Sequence, residues 1–172
     1  MGITENVYRL AIDFKPVQEI PPDPRLRLPY FQTFKKILRD EKEKIKAWHR
    51  SGAGGREIIQ AHTSLVDEVI RHVLLSMTQL EVYAEANVLD DFALIAVGGY
   101  GRGELNPLSD IDLLFLLFAK TQPITETLIK DVLSVIWGLD MEIGHSSRTI
   151  KECIRLAQED LTIKTSMIET RF

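Results

Sequence analysis

Two aspartates separated by one apolar residue are well placed to do chemistry in this chain. Asp110 and Asp112 follow a polar loop and open an apolar run. Because side chains of a strand alternate between faces, both carboxylates project from one face if this run is a strand. Two like charges this close repel unless a cation lies between them or one takes up a proton. Oxygen ligands suit Mg²⁺, which shares its shell with substrate phosphates, so the spacing predicts a magnesium site.

A glycine pair supplies the second half of the predicted site. Gly98 and Gly99 end an apolar run, and ten residues separate them from Asp110. Without side chains, their backbone N–H groups are accessible to a phosphate. We therefore predict a strand over 92–97, a phosphate-binding loop and a strand over 111–118, so that metal and a nucleoside triphosphate meet in one cleft.

Composition excludes several classes of protein. The 172 residues suffice for one domain, with or without an attached helical layer, and 45% hydrophobic residues can form a core. The net charge of −4 argues against nucleic-acid binding. No apolar run approaches the ~20 residues that cross a bilayer, and no signal-peptide pattern is present. The single cysteine, Cys153, excludes an internal disulfide. We predict a cytoplasmic protein with neither nucleic acid nor membrane as a partner.

The elements around the predicted site follow from hydrophobic periodicity. Five of the seven prolines lie in residues 1–30, which we predict to be an extended arm. Apolar residues at helical spacing predict two long helices that form a layer over 31–80. The sheet that carries the aspartates is predicted over 91–145, and a C-terminal helical region is predicted over 149–172.

The second half of the chain contains a further helix and a further strand in this prediction. The helix covers 125–137, and a short strand covers 139–143 and ends at Gly144. Thr149 and Glu152 have the spacing of a helix capping box. A helical period continues to Phe172, which predicts a chain that stops inside a helix and is an N-terminal piece of a longer protein.

A family resemblance is now specific enough to state. The string Gly98–Leu105, followed by Asp110–Leu113, resembles the signature of DNA polymerase β-like nucleotidyltransferases. Together with Glu142–Thr149, it closely resembles the N-terminal nucleotidyltransferase domain of bacterial [protein-PII] uridylyltransferases. Residues 51–58 and 160–171 are also similar to segments of that family.

The resemblance covers roughly residues 32–172 and implies a fold. It implies an α+β domain over 31–172, with a small mixed sheet on which N-terminal and C-terminal helices pack. The chain departs from the family pattern at Gly138, where an acidic residue is common. In the family, a phosphohydrolase and sensing modules follow this domain in the sequence.

The resemblance also implies a set of metal ligands. In the superfamily, paired aspartates bind two magnesium ions, and a third acidic residue on a neighbouring strand completes the site. Carried over, Asp110, Asp112 and Glu142 are the catalytic and metal-binding residues. Asp140 shares a face with Glu142 in the predicted strand and remains an alternative third carboxylate.

The nucleotide-binding residues follow in the same way. The family's glycine pair holds the nucleoside triphosphate, which assigns that contact to Gly98 and Gly99. Arg102 is the predicted phosphate-binding arginine because a guanidinium pairs with phosphate in bidentate fashion, and Arg148 is the second candidate.

The function implied is Mg²⁺-dependent transfer of UMP from UTP to a tyrosine hydroxyl of a PII nitrogen-signalling protein, with release of pyrophosphate. Two alternatives remain. One is a related nucleotidyltransferase attached to CBS or other regulatory modules, with another nucleotide or acceptor. The other is a non-catalytic domain that senses nucleotides.

Overall fold

A computed structural model describes residues 19–118 and 121–172, and its architecture confirms the predicted α+β fold with a small mixed sheet. No helix in these two ranges is long and apolar enough to cross a membrane. Two short 3-10 turns lie at Pro24–Leu26 and Val88–Asp90. The other elements are, in order, α1 (Leu28–Arg50), α2 (Gly55–Thr78), α3 (Glu81–Ala84), β1 (Phe92–Ala96), α4 (Gly98–Gly101), β2 (Ile111–Leu117), α5 (Pro123–Gly138), β3 (Ile143–Thr149), α6 (Ile150–Glu159) and α7 (Leu161–Ile168).

The strand β2 is the centre of the three-stranded sheet. It pairs antiparallel with β1, where Leu94 lies opposite Phe115. It pairs in parallel with β3, where Asp112 lies beside Gly144. A parallel pair needs a crossover connection, which α5 provides. The residue pairing therefore places Gly144 of β3 beside Asp112, one of the predicted metal ligands.

Alternation along β2 separates the core from the site. Ile111 and Phe115 belong to the hydrophobic core, together with Val69 of α2 and Val132 of α5. Asp112 points to the opposite face, where it is exposed. Burying each large aliphatic side chain contributes roughly 1.5–3 kcal/mol, so the inner face of β2 holds the strand in place. The carboxylate is thus mounted on a rigid central strand.

The N-terminal part of the chain only partly follows the prediction. The predicted arm covered residues 1–30, of which 1–18 lie outside the described residues. Ile20 is buried in the core, and Arg27 donates a hydrogen bond of 2.9 Å to the carbonyl of Pro21. Helix α1 begins at Leu28, before the predicted boundary, because Pro29 is tolerated in the first turn of a helix.

The predicted strand over 139–143 is wrong. Leu139 caps the C-terminus of α5, and Asp140 has a φ of +58°, which ends the helix in a left-handed turn. The strand begins only at Ile143 and continues to Thr149. Packing explains the glycine at position 138, where the sequence departs from the family pattern. A Cβ at this position would lie 2.5 Å from the ring of Phe31.

The end of the chain also differs from the prediction. The capping box at Thr149 and Glu152 is confirmed and opens α6. The predicted helix through Phe172 is wrong, because α7 ends at Ile168. Arg171 instead forms an antiparallel bridge with Ala96 of β1, through N–H···O bonds of 2.9 and 3.0 Å.

Arg171 joins the chain end to three elements. Its guanidinium forms a bidentate ion pair with Asp67 of α2, with N···O distances of 2.9 and 3.0 Å. The guanidinium also lies 5.3 Å from the ring centre of Tyr100 in α4 and donates to its carbonyl. The backbone of the segment passes so close to α4 that a Cβ on Gly101 would lie 1.9 Å from the carbonyl oxygen of Glu169. We call this arrangement the Arg171 clamp.

We predict that Gly101→Ala destabilises the protein by about 2–4 kcal/mol, because the new methyl overlaps the backbone of the Arg171 clamp. Chemical denaturation followed by circular dichroism measures the change. Gly55→Ala is the control, since a Cβ at Gly55 has nothing within 4 Å, and it should shift the free energy by no more than about 0.5 kcal/mol. Equal effects of the two substitutions would contradict the clamp.

Candidate active site

Asp112 lies between two glycines. A Cβ on Gly98 would lie 3.8 Å from Oδ2 of Asp112, and a Cβ on Gly144 would lie 2.4 Å from Oδ1. Any side chain at position 144 would therefore displace the carboxylate. The backbone of β2 holds the other side, where the carbonyl of Asp112 accepts a 3.0 Å hydrogen bond from the N–H of Val97. The structure thus brings the first glycine of the predicted phosphate loop beside a predicted metal ligand.

The charge of Asp112 is unfavourable in the protein alone. Although the residue is exposed on one side, partial burial of its carboxyl group raises the pKa, and the nearby charge of Asp110 raises that pKa further. Both effects disfavour the ionised form. A cation bound between the two carboxylates would relieve the repulsion, so the pair is poised to bind positive charge.

The glycine loop is held in a helical turn. Gly98 has a φ of +60°, a conformation that side chains other than glycine rarely adopt, and it starts the short helix α4. N–H groups at the start of a helix have no partner four residues earlier, so those of Gly98 and Gly99 can donate to a ligand. Thr63 of α2 fixes the exit of the loop, because its hydroxyl accepts a 3.0 Å hydrogen bond from the N–H of Leu105.

A cleft opens over this face of the sheet. The Asp112 cleft, as we call it, has a volume of about 340 Å³ and lies between β3 and helix α7. Gly98, Asp112 and Gly144 line it, together with Arg148 of β3 and Met167 of α7. Backbone donors, a carboxylate and a guanidinium therefore face one space, which is the set of groups that a metal-bound phosphate chain requires.

The donor set fits a divalent cation that shares its ligands with a substrate. Asp110 and Asp112 supply carboxylate oxygens whose repulsion a cation relieves. Among residues 19–118 and 121–172, no group of three His, Cys, Asp or Glu side chains is close enough to hold a metal. Mg²⁺ commonly uses one or two carboxylates and completes its shell with water and phosphate oxygens, so two carboxylates are sufficient.

Comparison with known families agrees with this geometry. The model of the protein family described as "Nucleotidyltransferase domain" matches residues 78–171, which include the glycine loop, β2 and β3. The chain belongs to this nucleotidyltransferase domain family. The comparison of this chain with solved structures found no significant match.

Several relatives carry the same name, "Bifunctional uridylyltransferase/uridylyl-removing enzyme". The relative from Rhodospirillum rubrum is 43% identical over 120 residues, which are 69% of this chain and 13% of the relative. The Caulobacter vibrioides relative is 46% identical over 123 residues, or 70% and 13%. The Azospirillum brasilense relative is 34% identical over 150 residues, or 86% and 16%. This chain thus matches only about a seventh of the length of these relatives.

The two candidates for a third carboxylate occupy different environments. Glu142 lies just before β3, and its carbonyl accepts a 3.0 Å hydrogen bond from the N–H of Ile111. The parallel pairing, extended by one residue, places Glu142 beside Asp110. Asp140 is 74% exposed and forms a 2.6 Å ion pair with Lys35 of α1. The predicted common strand face of Glu142 and Asp140 is wrong because neither residue belongs to a strand.

Glu142 lines a second cavity rather than the Asp112 cleft. This cavity has a volume of about 260 Å³ and lies between α1, α2 and the loop that precedes β2. We call it the His62 cavity, after a buried histidine in its wall. The role of Glu142 as a third metal ligand remains a prediction.

Arg102 does not line the Asp112 cleft. Its guanidinium pairs with Glu104 at 3.2 Å and with Glu169, which follows α7. These contacts tie the glycine loop to the Arg171 clamp. Its predicted contact with phosphate remains a prediction, and Arg148 is the arginine that the structure places in the cleft.

Ser146 lines the Asp112 cleft, although no sequence pattern pointed to it. With the strand placed over 139–143, nothing linked this serine to Asp112. Side-chain alternation along the observed strand puts Gly144, Ser146 and Arg148 on one face. A strand starting at Ile143 would have revealed all three.

We predict that Asp112→Asn makes the metal-free protein slightly more stable, because it removes a carboxylate whose ionised form the fold disfavours. Because the folded protein raises the pKa of Asp112, ionisation of this group lowers the free energy of unfolding as the pH rises. The stability gained by Asp112→Asn should therefore appear at pH 7 and vanish at acidic pH. Thermal unfolding in a chelator, at pH 7 and pH 4, measures it. Asp67→Asn is the matched control and should cost about 1–2 kcal/mol, since it breaks the pair with Arg171. A fall in melting temperature for Asp112→Asn would contradict the repulsion.

Proposed function

We propose that this domain transfers UMP from UTP to a tyrosine hydroxyl of a PII-type nitrogen-signalling protein and releases pyrophosphate. The observation that carries the proposal is the position of Asp112 beside Gly98 in the Asp112 cleft. The names of the relatives support uridylyl transfer. The PII acceptor, the dependence on Mg²⁺ and the cytoplasmic location follow from the family resemblance and belong to this proposal.

Each group of the site has a task in this reaction. The N–H groups of Gly98 and Gly99 bind the phosphate chain, and Arg148 adds a positive charge from β3. Asp110 and Asp112 would hold Mg²⁺, and the bound ion would supply positive charge that stabilises the attacking and leaving oxygens. Glu142, beside Asp110, accepts the proton of the acceptor hydroxyl or contributes a further ligand. The domain thus acts chiefly by positioning and by charge.

The proposed transfer forms one bond and breaks one bond at the α-phosphorus of UTP. The acceptor oxygen forms a bond to the α-phosphorus of UTP, and the bond from that phosphorus to the bridging oxygen breaks. Pyrophosphate leaves with the electron pair, and the hydroxyl proton passes to a carboxylate and then to water. The domain needs only to orient the two substrates in line.

The direct test incubates the protein with radiolabelled UTP, MgCl₂ and a purified PII protein. We expect label on the PII protein with UTP and little with ATP, GTP or CTP, and we expect none after Asp112→Asn. Label from another nucleotide would favour a different nucleotidyltransferase. Nucleotide binding without transfer, unchanged in Asp112→Asn, would favour a sensing domain and would overturn the proposal.

A matched pair of substitutions separates the candidates for the third carboxylate. We predict that Glu142→Gln lowers kcat at least about 100-fold, because it removes a charge next to Asp110. Asp140→Asn should change kcat less than about threefold, since its exposed pair with Lys35 is worth little and asparagine tolerates its left-handed backbone. Initial rates of UMP transfer at saturating substrates measure both values of kcat. A larger loss of kcat in Asp140→Asn than in Glu142→Gln would make Asp140 the third carboxylate.

A further inference from the structure

The outer side of β3 is an unpaired edge of the sheet. Within the described residues the strand order is β1-β2-β3, so β3 has a neighbour only on the side of β2. The N–H of Ile111 donates to the carbonyl of Glu142, which fixes the alternate residues of β3 whose backbone groups point to β2. The N–H and C=O groups of Ile143, His145 and Ser147 therefore point away from β2. None of residues 19–118 and 121–172 forms a hydrogen bond with these groups.

This edge borders the Asp112 cleft. His145 lines the cleft although alternation puts its side chain on the opposite face of the sheet, so the cleft extends to the edge of β3. Gly144 presents no side chain on the cleft face, and Oδ1 of Asp112 lies only 2.4 Å from where its Cβ would be. A strand added beside β3 would lie about 4.8 Å away. A residue opposite Gly144 on that strand would therefore face the carboxylate with no side chain between them.

The other face of the edge favours an apolar neighbour for that residue. Trp137 of α5 is 49% exposed, and its ring centre lies 5.6 Å from that of His145 in an edge-to-face contact. Because side chains alternate along a strand, the residues on either side of the one opposite Gly144 would project onto this face. An apolar side chain there would cover the indole, and tryptophans are enriched among the residues that contribute most to protein interfaces.

We propose that β3 is the docking edge for an extended segment of the acceptor protein, which adds a strand to the sheet and places its hydroxyl-bearing residue opposite Gly144. This inference rests on the proposed function and names the surface that binds the second substrate. Backbone bonds to Ile143, His145 and Ser147 provide affinity, and the side chains on the two faces of the added strand provide specificity. A helical segment does not fit this edge, because a helix uses its own backbone groups. The acceptor residue thus lies in an extended, accessible segment with an apolar neighbour.

A proline in the edge tests this assignment. Ser147 is exposed and its N–H points away from β2, so Ser147→Pro removes a docking donor without breaking the pairing with β2. We expect the KM for the PII protein to rise at least about tenfold and the KM for UTP to change less than about twofold. An unchanged KM for the acceptor would overturn the inference. A rise in the KM for UTP alone would also overturn it, because it would place the nucleotide at this edge.

The matched control puts a proline where the backbone tolerates one. Gly55 begins α2, and the extended Gly54 before it has the conformation that a residue before proline prefers. Gly55→Pro should change neither KM, and circular dichroism should show that both proline variants are folded. An equal rise of the acceptor KM in both variants would contradict the docking edge.

Amide hydrogen exchange followed by NMR tests the docking without turnover and without a variant. In the unaltered protein alone, the amides of Ile143, His145 and Ser147 should exchange quickly, whereas those of Gly144 and Ser146, which point to β2, should exchange slowly. Saturating PII protein should slow the three outward amides at least about tenfold. Slow exchange in the protein alone would mean that another part of the chain or a second copy already covers the edge, and it would overturn the inference.

The outcomes separate this inference from the proposed function. If the unaltered protein transfers no UMP to the PII protein, the proposed function fails. If it transfers UMP while the acceptor KM of Ser147→Pro or the exchange of the three outward amides stays unchanged, only the docking assignment fails.

Discussion

The site depends on an electrostatic repulsion that the fold maintains. The pKa of Asp112 rises because of burial and because of the nearby charge of Asp110. The hydrophobic face of β2 holds the strand that carries Asp112 and that begins directly after Asp110. Stability elsewhere in the domain offsets this local cost. In the proposed function, a bound cation would relieve this repulsion and share its ligands with a phosphate chain.

The remaining contacts position the glycine loop relative to that pair. Thr63 fixes the exit of the loop to α2, and the Arg171 clamp holds α4 against β1 and α2. Arg102 adds a link from the loop to Glu169. Residues far apart in the chain thereby keep Gly98 at the edge of the carboxylate. The geometry of the candidate site is a property of the tertiary structure, although its two motifs are close in sequence.

The sequence predicted the parts of the site that depend on local pattern. The glycine pair, the strand that begins directly after Asp110 and carries Asp112, and the capping box at Thr149 need only neighbouring residues, and the structure has all three elements. The strand β3 was misplaced because it is polar where it lines the Asp112 cleft, so hydrophobic periodicity gave no signal. The bridge between Arg171 and Ala96 is a long-range contact that overrides a helical pattern, and no local rule predicts it. The Asp112 cleft and the His62 cavity likewise exist only after folding.

The backbone bridge at Ala96 has a practical consequence for anyone who handles this protein. Phe172 follows directly after the bridging Arg171 and is 93% exposed. An affinity tag fused there would start one residue from a sheet edge whose remaining N–H and C=O groups can pair with an extended peptide. A flexible glycine-serine spacer would keep such a tag from adding a strand to β1 and altering the glycine loop behind it.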